Sequence, residues 1–95
     1  PCYVAPELTT GARDADARTD VYGLGAVFYE LLTGRPPFVA TTPLDVVRMV
    51  REEAPVPPSV LNTLVPAELD AICLKCLEKE PEARFATAAE LLESL

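Results

Sequence analysis

The chain has 95 residues, 49% hydrophobic and 24% charged, the proportions of a folded globular protein rather than a disordered one. Fifteen acidic against eight basic residues give a net charge of -7, which excludes the clustered positive surface that a nucleic-acid backbone requires. No apolar run approaches the roughly 20 residues of a membrane-spanning helix, and three Cys with no His argue against a disulfide framework and for a reducing compartment.

Residues 1–19 show no sustained period and carry Pro6, Gly11 and scattered charge, so they read as loop with one helical turn after Pro6. The cluster from Arg13 to Arg18 reads as solvated surface. The first strong helix is predicted from about Asp20 to Thr33, with Thr19 or Asp20 accepting bonds from the first backbone N–H groups. Val21, Leu24, Phe28, Leu31 and Leu32 form one face, while Ala26, Val27 and Tyr29 make the other side apolar too. A helix that is hydrophobic nearly all round is expected to be buried on most sides, with a part missing upstream supplying the cover that 95 residues cannot. Gly34, taking the left-handed conformation, ends it, and Pro36-Pro37 forbids continuation.

Thr42, Pro43 and Asp45 give the next helix its cap, its first-turn proline and an acidic third position, a variant of the capping box. It runs to about Glu52 with a narrow stripe of Leu44, Val47 and Val50, so it is half exposed and a candidate docking face. Ala54 to Pro58 is an extended connector, because successive prolines exclude helix. A third helix is expected over Pro66 to Lys79, acidic at its start (Glu68, Asp70), basic at its end (Lys75, Lys79) and stopped by Pro81. Thr87 and Glu90 form a capping box that opens a last helix carrying Leu91, Leu92 and Leu95.

Cys73 and Cys76 have metal-site spacing, but only Cys2 offers a further thiol. Leu69, Ile72, Cys73, Cys76 and Leu77 recur at helical spacing, which makes the two thiols small core residues. No segment alternates, so the expected class is all-α. Without a starting Met, and with Leu95 inside a helical pattern, the chain reads as a piece of a larger protein.

Four motifs stand in order: Tyr3-Val4-Ala5-Pro6-Glu7; Asp20-x-x-x-Leu24-Gly25; Leu32 to Phe38, with Thr-Gly-Arg-Pro-Pro between; and Leu77 to Phe85, with Pro81-x-x-Arg84 inside it. Together they resemble the C-terminal helical lobe of a serine/threonine protein kinase domain of bacterial type, from the end of the activation segment to the last helix, over all of residues 1–95. The resemblance implies that Glu7 pairs with Arg84, tying the activation segment to the base of the lobe. It implies that Asp20 accepts bonds from a catalytic loop this sequence lacks, leaving its carboxylate under-satisfied here. Val27 and Leu31 would support the apolar stack beneath the adenine site. Pro1, Cys2 and Tyr3 would meet the substrate residue just after the phosphorylated one, and Glu30 would bond the Tyr3 hydroxyl.

The Gly-rich loop, its lysine, His-Arg-Asp and Asp-Phe-Gly are all missing from this sequence. No catalytic, cofactor-binding or metal-binding residue is therefore assigned within it. The expected whole is a cytoplasmic kinase using ATP and Mg to phosphorylate Ser or Thr of a protein substrate, without nucleic acid or membrane contact by this segment. Two alternatives stand beside it: a catalytically inactive kinase-like binding module, and an unrelated helical interaction domain.

Overall fold

The computed structural model describes residues 4–10 and 16–95. Its helices are α1 (Pro6–Thr10), α2 (Ala17–Thr33), α3 (Pro43–Glu52), α4 (Pro58–Leu61), α5 (Ala67–Cys76) and α6 (Ala88–Ser94), with a 3₁₀ turn at Pro81–Ala83. No strand occurs among the described residues, as the missing alternation predicts.

The central helix starts earlier than its hydrophobic pattern. Asp16 is the cap, its Oδ1 accepting from the N–H groups of Arg18 and Thr19 at 3.0 Å each. This corrects the expectation that Thr19 or Asp20 caps the helix. A charged, apolar-poor first turn carries no periodic signal, so Asp16 hid inside the stretch read as solvated surface. At the other end Gly34 takes φ 83° and its N–H donates to the Glu30 carbonyl at 2.7 Å, as expected.

α2 packs against α5, α4, α6 and the 3₁₀ turn. Val21, Tyr22, Gly25, Ala26 and Tyr29 are buried there. Gly25 permits the close crossing, since a Cβ built on it would lie 2.4 Å from the Cys76 Cβ. Cys73 and Cys76 are fully buried in this seam as small core residues. Burial pushes the Cys73 thiol up to about 12 and the Cys76 thiol up to about 11.

The other side of α2 is not covered. Leu24, Val27 and Leu31 are exposed, Leu31 at 79%. The molecule is a slab of 36 × 32 × 16 Å, and among the described residues this side of α2 stays open, as expected for a helix whose remaining cover is assigned to a part outside these 95 residues.

α3 matches its predicted bounds, and Thr42 Oγ1 accepts from the Asp45 N–H at 3.2 Å. Its buried residues are Val46 and Val50, whereas Leu44 is 78% exposed, so the expected stripe is rotated by about one position. Pro58 opens α4 instead of extending the connector, because proline is well placed in a first helical turn. The Tyr29 hydroxyl donates to the Val56 carbonyl at 2.6 Å, and Asn62 Nδ2 donates to the Leu32 carbonyl at 2.9 Å, fastening this segment to α2.

α5 begins one residue after Pro66 and ends at Cys76, short of Lys79. There the Leu77 N–H divides between the Cys73 and Leu74 carbonyls and tightens the last turn. The Thr87 half of the expected α6 capping box forms, with Glu90 N–H donating to Thr87 Oγ1 at 3.2 Å, while the reciprocal bond falls one residue earlier. The Glu90 carboxylate reaches back to the Ala86 N–H at 2.9 Å. Of the three leucines expected on its apolar face, Leu91 alone is buried.

Candidate functional site

Two residues 77 positions apart meet in the core. Arg84 Nη1 donates to Glu7 Oε2 and Nη2 to Oε1, both at 2.8 Å, a bidentate pair in a setting where both side chains are buried. Three backbone carbonyls take the rest of the guanidinium: Glu78 from Nε at 2.8 Å, Arg18 from Nη1 at 3.0 Å and Lys79 from Nη2 at 3.3 Å. The planar group also lies over the Tyr22 ring, 4.9 Å from its centroid.

Each partner is presented by a local device. Glu7 sits in the first turn of α1, which Pro6 starts. Arg84 follows the 3₁₀ turn that Pro81 opens, its own N–H donating to the Pro81 carbonyl at 3.1 Å. The two prolines thus fix the backbone on both sides of the pair. Nothing short of such full satisfaction makes a buried ion pair tolerable, because each charge loses several kcal/mol of hydration.

Thr19 completes the arrangement and was not legible as a site residue. Its hydroxyl donates to Glu7 Oε2 at 2.8 Å, and the Thr19 Oγ1 also lies 3.3 Å from Asp16 Oδ1. A Thr in the first turn of a helix has no sequence signature for a partner 12 residues away. Burial alone would raise the Glu7 carboxyl, but the Arg84 and Thr19 bonds outweigh it and hold it down at about 2.

The remaining predicted residues do not gather here. Asp20 lies exposed on the first turn of α2, where its charge suits the positive helix end, and its side chain bonds no described residue. It borders an open hollow of about 650 Å³ with Val4, Ala5, Leu8, Leu24 and Val27. Glu30 is half-buried on α2. Pro1, Cys2 and Tyr3, and with them the expected Tyr3–Glu30 bond, lie outside the described residues.

Chemically, this constellation holds and does not react. The guanidinium and the carboxylate spend their bonds on each other and on Thr19 and three backbone carbonyls. Its geometry is a clamp between the segment before α2 and the turn after α5.

A clamp of this kind, in this motif order, has a family. The protein kinase domain matches the chain over residues 1–95. The chain belongs to the protein kinase domain family. Its relatives include the serine/threonine-protein kinase PknB of Mycolicibacterium smegmatis, 48% identical over 93 residues, or 98% of this chain and 15% of that protein. PknB of Mycobacterium tuberculosis is 47% identical over the same shares. A probable serine/threonine-protein kinase of Clostridium acetobutylicum is 41% identical over 93 residues, 98% of this chain and 14% of its own length. The chain thus spans about one-seventh of the curated relatives it matches.

Among the described residues no group of three or more His, Cys, Asp or Glu side chains is placed to hold a metal ion. The nucleotide-binding motifs of the kinase family are absent from the sequence as well. No step through ATP or Mg is assigned to these residues. No helix among the described residues is long and apolar enough to cross a membrane.

Proposed function

We propose that this chain is the substrate-facing base of a serine/threonine protein kinase that transfers the ATP γ-phosphate to Ser or Thr of a protein. The observation that carries the reading is the bidentate Arg84–Glu7 pair, which fixes the segment leading out of the substrate loop to the base of the helical lobe. Similarity to serine/threonine-protein kinases over 98% of the chain supports the same reading.

In this reading Pro1, Cys2 and Tyr3 form the loop that receives the residue after the phosphorylated one. Glu30 carries the carboxylate that bonds Tyr3 and, with some substrates, a basic side chain. Asp20 offers acceptors to the backbone of the catalytic loop, which fits its position on the open side of α2. The half-exposed α3 offers a docking face through Leu44 and Val47. Two buried free thiols suit a cytoplasmic setting, where ATP is available.

The test is Mg-ATP-dependent phosphate transfer to a Ser/Thr-containing protein by the complete parent. Transfer that falls at least tenfold in Arg84→Ala, with the enzyme still folded, supports the role given to the clamp. A folded parent that binds but never transfers phosphate would make the chain part of a kinase-like binding module instead.

A further inference from the structure

The chain has two lysines, Lys75 and Lys79, and the fold treats them differently. Lys75 is exposed on the last turn of α5, with its Nζ 4.5 Å from the centroid of the Phe85 ring and open to water. Lys79 is half-buried, with its Nζ 4.4 Å from the centroid of the Phe38 ring and 3.4 Å from the Met49 carbonyl that it bonds. An ammonium has three N–H donors, so a ring face and one long hydrogen bond leave it poorly compensated for the water it has lost. Among the described residues no ion pair involves it.

Lys79 also borders a hollow of about 320 Å³ between the end of α3 and α5. Ala54, Pro55, Leu74 and Leu77 give it an apolar floor, and Glu52 and Glu78 stand on its rim. The charged neighbours are Glu53, Glu78 and Arg84. Burial dominates and lowers the amine to about 8, the two glutamates opposing it and Arg84 adding to it. The result is an amine next to an apolar space large enough for a short acyl chain.

We propose that Lys79 is an acylation site, its Nζ acting as nucleophile toward a small, uncharged acyl thioester seated in the adjoining hollow. The neutral amine attacks the thioester carbonyl carbon. The C–N bond forms as the C–S bond breaks, and the departing thiolate takes up the proton that the nitrogen releases. The products are an amide on Lys79 and a free thiol. The acidic rim selects against anionic donors, and the apolar floor receives the acyl group. Acylation removes the cation from the Phe38 ring, which belongs to the same core cluster as Val46 and Val50 of α3. The modification therefore acts directly on the footing of α3.

The experiment exposes the complete parent protein to N,S-diacetylcysteamine, an uncharged thioester, and follows acetylation of Lys79 and Lys75 by peptide mass spectrometry. At a pH of about 7 the folded protein is expected to acetylate Lys79 about tenfold faster than Lys75, because the larger neutral fraction outweighs the lower intrinsic basicity. In denaturant the two rates are expected to converge. Lys79→Arg, which keeps the charge over Phe38, is expected to abolish the fast site and leave the Lys75 rate unchanged. Equal or slower labelling of Lys79 in the folded protein overturns the proposal. So does a tenfold preference that survives denaturation, since the local sequence rather than the fold would then set the rate.

Discussion

The two sides of α2 carry nearly the same kind of residue and have opposite fates. Val21, Tyr22, Ala26 and Tyr29 are fully buried against α5 and its neighbours, while Leu24, Val27 and Leu31 face outward. Hydrophobicity does not separate them. The difference is made by Gly25 and the two cysteines, small enough at the crossing for α5 to approach one side. The buried side also leads to the polar clamp at Glu7 and Arg84, so a buried bidentate charge pair sits at the end of this dry seam. Apolar character makes a helix able to be buried, and complementary shape decides which side is.

The comparison is broken most severely at the clamp. Arg84→Ala strands a buried carboxylate and is expected to cost about 3–5 kcal/mol of the parent domain's unfolding free energy, read by urea denaturation. An unchanged midpoint would falsify the clamp as a stability element. Gly25→Ala is expected to be next, at about 1–3 kcal/mol, because the Cβ meets the Cys76 Cβ and the two helices must part.

Thr19→Val removes one donor to Glu7 and keeps the volume, and about 1.5–3 kcal/mol is the usual worth of a hydrogen bond to a charged group. Its signature lies in the pH dependence. With Glu7 held near 2 against an ordinary 4.5, its contribution to stability is complete above about 4.5 and is lost as pH falls toward 2. Losing the Thr19 bond raises the folded value, so acid unfolding of Thr19→Val should begin at higher pH, and Thr19→Ser should restore it. A uniform loss at all pH values would assign Thr19 to packing alone.

The smallest effect is expected on the open side. Leu31→Gln should change the stability of the 95-residue chain by less than about 0.5 kcal/mol, since the side chain is 79% exposed. A loss of about 2 kcal/mol in the complete parent, with none in this chain, would show that other parts of the protein cover that side.

Two sites of disagreement show where sequence reasoning loses its footing. Asp16 caps α2 from within a charged stretch that has no period, and Thr19 reaches Glu7 across a loop; both depend on where the chain turns in space. Pro1, Cys2 and Tyr3, proposed as the substrate loop, were legible through the motif they open, and they lie outside the described residues.

By itself the sequence determined what local chemistry enforces. Proline at first turns, Thr42 and Thr87 as caps and Gly34 as a stop set most helix ends within a residue or two, because these residues act on their own backbone. The resemblance that the ordered motifs carry also implied that Glu7 and Arg84 belong together, as the structure shows. Only the tertiary structure decided which side of α2 is dry, that Thr19 is the third member of the clamp, and that Lys79 rather than Lys75 loses its water. Those outcomes depend on distances between residues far apart in the chain, and burial and charge are properties of the space they enclose.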